Sequence, residues 1–140
     1  MARLYESKCY CTNLRRSAGA VSEYYDKILR NAGMNASQYY LLVNLSRLGS
    51  ANITRWAEHV GLERSTMARN VRVLVEHGWV RESGGRGRVL TLSPEGQAAL
   101  EQALPLWSEA QLRLEEFLGR EDVEAILRIG MKLQGLESEM

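Results

Sequence analysis

No stretch of the chain approaches the ~20 consecutive apolar residues that a membrane-spanning helix needs, so such a span is excluded. The opening Met-Ala-Arg-Leu-Tyr-Glu-Ser-Lys lacks the apolar run of a secretory leader. Cysteine is scarce too: Cys9 and Cys11 stand two positions apart, which does not make a disulfide framework. The expected compartment is the cytoplasm. The two histidines, His59 and His77, sit beside no Cys or carboxylate constellation of metal spacing, which argues against zinc. There is no Ser/His/Asp arrangement with a nucleophile turn. Gly84-Gly85-Arg86-Gly87 lacks the Lys-Ser or Lys-Thr and the following helix of a phosphate-binding loop. No enzymatic activity, metal or cofactor is expected.

What the chain does have is 140 residues at 45% apolar content, enough for one domain with a modest core. A formal net charge of +1 conceals segregation along the sequence. Residues 1–53 carry seven Lys/Arg against three acids, residues 54–88 seven Arg against four acids, and residues 95–140 four Lys/Arg against ten acids. A basic middle attracts phosphate, and an acidic final third keeps its own side of the molecule away from it.

The basic middle coincides with the spacing of a helix-turn-helix. Trp56, Ala57 and Val60 give a short helix one apolar face, Gly61 can take positive φ at the turn, and Leu62 is expected to re-enter the core. In the second helix Met67, Val71 and Leu74 fall on one stripe while Ser65, Arg69, Arg72 and Glu76 fall on another. One face packs and the other is available to read DNA.

Cys11, Leu14, Ala18, Val21, Tyr25, Ile28 and Ala32 recur at helical steps and predict a long first helix ending near Gly33. Asn35 or Ser37 is expected to cap a second helix that carries Tyr39, Leu42, Val43 and Leu45 and stops at Gly49-Ser50. Ala51-Asn52-Ile53 reads as a short extended piece. After Gly78, the segments Trp79 to Glu82 and Arg88 to Leu92 read as two strands, a hairpin directly behind a recognition helix: a wing. Ser93 then caps a helix with Pro94 at its first position, where a missing N–H costs nothing. Its stripe runs through Leu100, Leu104, Trp107, Leu114 and Leu118, Pro105 is expected to bend it, and Gly119 separates it from a last helix bearing Val123, Ile126, Leu127, Leu133 and Leu136.

The flanking helices carry more apolar surface than a small helix-turn-helix can bury. A second subunit, with the first and last helices of two chains interleaved, is the expected cover in preference to a self-contained helical cap. The predicted fold is mainly α with a small β-wing: a winged helix-turn-helix DNA-binding region at 35–93, with dimerisation helices at 1–34 and 94–140.

This order of elements resembles the MarR family of transcriptional regulators over nearly the whole chain. Leu14-Arg15-Arg16 with Tyr25 downstream is similar to that family's opening, and Ser37-Gln38-Tyr39 to the start of its second helix. Ser65-Thr66, Arg69, Leu74, Gly78 and Val80 match its recognition helix and wing entry, and Arg86, Leu90, Leu92, Ser93 and Gly96 the stretch closing the wing. The resemblance implies a homodimeric repressor on a pseudo-palindromic double-stranded operator. The sequence departs from the family in its shorter hairpin, in Gly84 where an acid commonly precedes the wing arginine by two positions, and in Arg72-Val73 where an acidic then a basic residue are frequent.

A helix in the major groove contacts base edges from its N-terminal half, which assigns Ser65, Thr66, Ala68 and Arg69 to the bases. Arg69 is the best candidate for a direct contact, because arginine bonds bidentately to guanine. Arg64 and Arg72 are expected to clamp phosphates, and Arg86 and Arg88 to enter a narrow minor groove.

Two routes to release are expected, a small molecule or oxidation. Cys11, fourteen residues before Tyr25, is similar in position to the sensing cysteine of the family's organic-hydroperoxide branch, which implies oxidation of a thiolate to sulfenic acid. The assisting tyrosines of that branch are replaced by Arg15 and Ala36. Cys9 lies off the apolar stripe, and residues two apart on a helix point about 200° from each other, so a bond between the two thiols within one helix is not expected. For a small molecule, Tyr24, Tyr39, Tyr40 and Trp56 are expected to line a cleft between the dimer helices and the helix-turn-helix. The rival expectation is a winged helix that binds a partner protein without specific DNA binding; the exposed arginine stripe argues against it.

Overall fold

Two helices in the first half of the chain begin where an asparagine side chain accepts from an orphan amide of the first turn. The structure is a computed structural model that describes residues 8–85 and 87–139; Arg86 lies outside the described residues. The chain divides into two units, Met1–Trp107 and Ser108–Met140.

In the first unit α1 (Tyr10–Leu29) passes into a 3-10 turn, Arg30–Ala32, that Gly33 ends at φ 70°. The helix packs by its C-terminal end, where Tyr25 and Leu29 are buried, while Leu14 and Val21 on the predicted stripe remain exposed. Asn35, not Ser37, caps α2 (Ala36–Leu48). Its Oδ1 accepts from the Gln38 amide at 2.8 Å while Gln38 Oε1 accepts from the Asn35 amide at 3.0 Å, a reciprocal capping box. The Ala36 amide donates to Asp26 Oδ1 at 2.8 Å, which ties α1 to the positive end of α2.

The expected extended piece contracts to one residue. Ala51 forms an isolated antiparallel bridge with Leu90, Asn52 caps α3 (Ile53–Val60) by accepting from the Arg55 amide at 2.8 Å, and Ile53 is already helical. An asparagine cap of this kind is worth about 1 kcal/mol, enough to start a helix as short as α3 where it does. Gly61 takes φ 77°, and the Leu62 amide donates back to the Ala57 carbonyl at 3.0 Å. That turn directs Leu62 outward: contrary to expectation it is exposed and does not re-enter the core.

α4 (Arg64–Glu76) buries Met67, Val71 and Leu74, the predicted stripe. The hairpin follows as β1 (Val80–Ser83) and β2 (Val89–Leu92), each starting one residue later than predicted, with Val80 opposite Leu92 and Ser83 opposite Val89. The core of this unit is built on the fully buried Leu29, Leu41, Leu42, Leu45, Trp56, Met67, Leu74 and Leu90.

The hairpin joins α5 (Pro94–Leu118) through a compact knot. Ser93 Oγ accepts from the Gly96 amide at 2.9 Å and donates to the Gly78 carbonyl, while the Ser93 amide donates to the Trp79 carbonyl at 3.0 Å. Gly96 is obligatory there, because a Cβ at that position falls 2.0 Å from the Trp79 carbonyl oxygen. α5 continues through Pro105, and its residues after Trp107 belong to the second unit.

In the second unit Gly119, at φ 87°, separates α5 from α6 (Arg120–Gln134), and a 3-10 turn, Leu136–Glu139, follows. Glu121 and Asp122 lie in the first turn of α6 and Lys132 in its last, the arrangement a helix dipole favours. α6 contributes no buried residue: Ile126, Leu127, Ile129, Met131 and Leu133 are all exposed. Among the described residues no helix is long and apolar enough to cross a membrane.

Candidate functional site

The outward side of α4 follows from its inward side. With Met67, Val71 and Leu74 fixed in the core, helical periodicity turns Ser65, Ala68, Arg69 and Arg72 to solvent, and all four are exposed. Arg64 is exposed at the helix start, and Thr66 is half-buried. Arg69 Nη2 reaches Thr66 Oγ1 at 3.5 Å, a loose contact one turn back, and Asn70 Nδ2 donates to the Thr66 carbonyl at 3.0 Å. The N-terminal half of α4 is thus a row of two hydroxyls and a guanidinium held in register on a rigid helix.

The hairpin lies immediately downstream. Gly78, at φ 79°, turns the chain out of α4, and the His77 ring stacks on Trp79 at 4.4 Å and 10°. Arg88 stands where β2 begins and forms an ion pair with Glu82 on β1, Nη1 to Oε2 at 3.6 Å. Arg86, the other predicted wing contact, lies outside the described residues. Glu82 escaped the sequence reading, although the hairpin register would have placed it on the same face as Arg88.

Within the first unit α1, α2 and α5 border an open cavity of about 680 Å³. Tyr25 and Leu29 reach it from α1; Tyr39, Tyr40, Val43, Asn44 and Arg47 from α2; and Gln97, Leu100, Glu101, Leu104 and Trp107 from α5. Tyr39 stacks on Trp107, with centroids 5.8 Å apart and planes at 15°. Burial pushes the Tyr39 phenol above its ordinary range, partly offset by Arg47, so the hydroxyl stays protonated and able to donate.

Of the four residues predicted to line a cleft, Tyr39 and Tyr40 border this cavity. Trp56 does not: it is fully buried, and its indole N–H donates to the Leu41 carbonyl at 3.2 Å, making it a core residue between α2 and α3. Tyr24 does not either, and instead stands edge-on to Tyr25 at 6.5 Å and 79°. The cavity's single cation and single acid, Arg47 and Glu101, were missed. Arg47 follows Tyr40 and Val43 at steps of three and four, a signal the sequence did carry.

The thiols are arranged otherwise than their spacing suggested. Cys9 has the extended backbone of a helix cap, φ −75° and ψ 116°, and only Cys11 is helical. Both are exposed, so Cys11 is not packed against its own chain. The perturbed thiol is Cys9: the Thr12 hydroxyl, then the Thr12 amide and the Cys11 amide, hold it below the usual thiol range.

The MarR-family sequence profile matches residues 34–83, from the start of α2 to the end of β1. That match spans 50 of the 140 residues and likens this part of the chain to the MarR family. A comparison by sequence with curated proteins finds no match. Among solved structures, the chain is similar to the Mycobacterium tuberculosis transcriptional regulator MosR, at 28% identity and a TM-score of 0.78, over 92% of this chain and 98% of that one. MosR has also been solved in complex with DNA. The repressor CouR shares the fold at 23% identity and a TM-score of 0.82, over 95% of this chain and 94% of that one, and was solved bound to p-coumaroyl-CoA. The oxidised form of MarR from Escherichia coli shares it at 18% identity and a TM-score of 0.73, over 92% and 96%.

Proposed function

We propose that this chain is a homodimeric, sequence-specific double-stranded DNA-binding transcriptional repressor that is released by a small molecule or by thiol oxidation. The observation that carries the reading is the two-faced α4, apolar inward and Ser65, Arg69 and Arg72 outward, followed directly by an arginine-bearing hairpin. A helix that reads a major groove needs this division, and the DNA complex of MosR supports it.

In this reading residues 35–93 form the DNA-binding region, and 1–34 and 94–140 supply dimerisation helices. The apolar side chains that α1 and α6 leave exposed find their cover in a second copy. Two recognition helices related by a twofold axis meet successive major grooves about 34 Å apart, hence a pseudo-palindromic operator. Arg69 reads a base; Arg64, Arg72 and the wing arginines hold phosphates or a minor groove.

Release requires an effector that binds one arrangement of the dimer better than the other. The cavity bordered by Tyr39, Tyr40, Arg47 and Trp107 supports a small-molecule route, in line with the ligand-bound form of CouR. The exposed Cys9 and Cys11 support an oxidant route, in which a thiolate attacks a hydroperoxide to give sulfenic acid and an alcohol.

Fluorescence anisotropy on a duplex selected from a random library tests the core of the reading. Arg69→Ala is expected to weaken the selected duplex by about 1–3 kcal/mol relative to a scrambled one, relaxing preference at one base pair. Equal losses on both duplexes would remove Arg69 from base reading. A hydroperoxide that releases the unsubstituted protein and fails on Cys9→Ser or Cys11→Ser identifies the thiol route; release that survives both substitutions excludes it.

A further inference from the structure

The hairpin holds one acid. Between Trp79 and Leu92 the charged residues are Arg81, Glu82, Arg86 and Arg88. Register puts Glu82 opposite Leu90, hence on the face that Arg88 shares two residues earlier, whereas Arg81 opposite Thr91 belongs to the other face. At the base of the Glu82 face Val80 and Leu90 are buried; farther out the core has ended, and Glu82 meets Arg88 at 3.6 Å. Their side chains are 36% and 67% exposed. An ion pair this wet is screened and adds little to the stability of the fold. Its effect lies in what Arg88 has to give up when another anion approaches.

We propose that Glu82 is the built-in counter-ion of the wing, a positioning residue that holds Arg88 in check and weakens its attraction to arbitrary duplex. The inference rests on the DNA-binding reading above and concerns its selectivity. The sign follows from the charges. While Glu82 is present, Arg88 reaches a phosphate only by leaving one carboxylate for another anion, and the abandoned carboxylate then faces the polyanion. Without Glu82, Arg88 is an uncompensated cation, and binding releases one more condensed counterion. Gly84 occupies the position two residues before Arg86, so no second acid on the hairpin takes over the role.

The experiment measures anisotropy of a labelled random-sequence duplex across a salt series, with the full-length parent, Glu82→Gln, Arg88→Gln and the double variant. Glu82→Gln is expected to tighten binding about threefold to tenfold at low salt and to steepen the log–log salt slope by about one unit. The same substitution in the Arg88→Gln background, where only the carboxylate's own repulsion is left to lose, is expected to have a markedly smaller effect on both. An equal effect in both backgrounds would make Glu82 a general repulsive charge and overturn the proposal, as would no effect in the parent. A parent with no salt-dependent affinity for any duplex overturns the DNA-binding reading itself, a failure seen before any variant is compared.

Discussion

At the foot of the wing, backbone and side chain lock into one another; along the flanking helices, apolar side chains are left over. Ser93 accepts from Gly96 and donates to Gly78, and Gly96 lies so close to Trp79 that nothing larger fits. α6 buries no residue, and the first half of α1 displays Tyr10 and Leu14 at 85% and 49% exposure. The difference separates what one chain completes alone from what it leaves open. The helix-turn-helix and wing root satisfy their own hydrogen bonds and fill their own core. The flanking faces are amphipathic without a partner, a state that soluble proteins seldom leave uncovered.

The largest expected effect breaks the closed side of this comparison. Gly96→Ala forces a Cβ against the Trp79 carbonyl and is expected to cost about 3 kcal/mol, read as a lower denaturation midpoint. An unchanged midpoint would show that the knot yields. On the open side, Leu127→Glu should leave the fold of a single chain almost untouched, because surface changes typically stay within about 0.5 kcal/mol, yet shift sedimentation from dimer toward monomer. A protein that sediments as a monomer before substitution would contradict the second-copy reading. The smallest effect concerns the thiols. Thr12→Val removes the hydroxyl that most lowers the Cys9 pKa, so the thiolate fraction at neutral pH falls and Cys9 alkylation slows severalfold, with its pH profile displaced upward. Alkylation at the parent rate would remove Thr12 from that role.

Much of the first unit was legible because its signals are local. Asn35 with Gln38 three residues on, Gly61 at a turn, Ser93 before Pro94, and the Met67, Val71, Leu74 stripe each act within a turn or two of themselves. Leu62 was misread because its direction depends on how the Gly61 turn closes, which hydrophobicity does not encode. Trp56 was assigned to a cleft for its aromatic ring, whereas its surroundings depend on a carbonyl fifteen residues away. The stacking of Tyr39 on Trp107 links α2 to α5, and no periodicity within either helix announces it. The helical geometry used for the thiols missed one detail: Cys9 is the cap of α1, not part of it. Elements were readable wherever neighbours in sequence set them, and contacts became unreadable once they crossed from one element to another.

The single bridge between Ala51 and Leu90 reaches beyond the fold. Leu90 donates to the Ala51 carbonyl at 2.8 Å and accepts from the Ala51 amide at 3.1 Å, while on its other side it pairs with Glu82 in β1. The returning arm is therefore clamped along both edges at one residue. Mechanically the wing is a cantilever with its fixed end at Leu90, and any swing has its pivot beyond that point. In hydrogen exchange the amides of Ala51 and Leu90 should open only with the core around them, so a force on the hairpin passes straight into the helix-turn-helix.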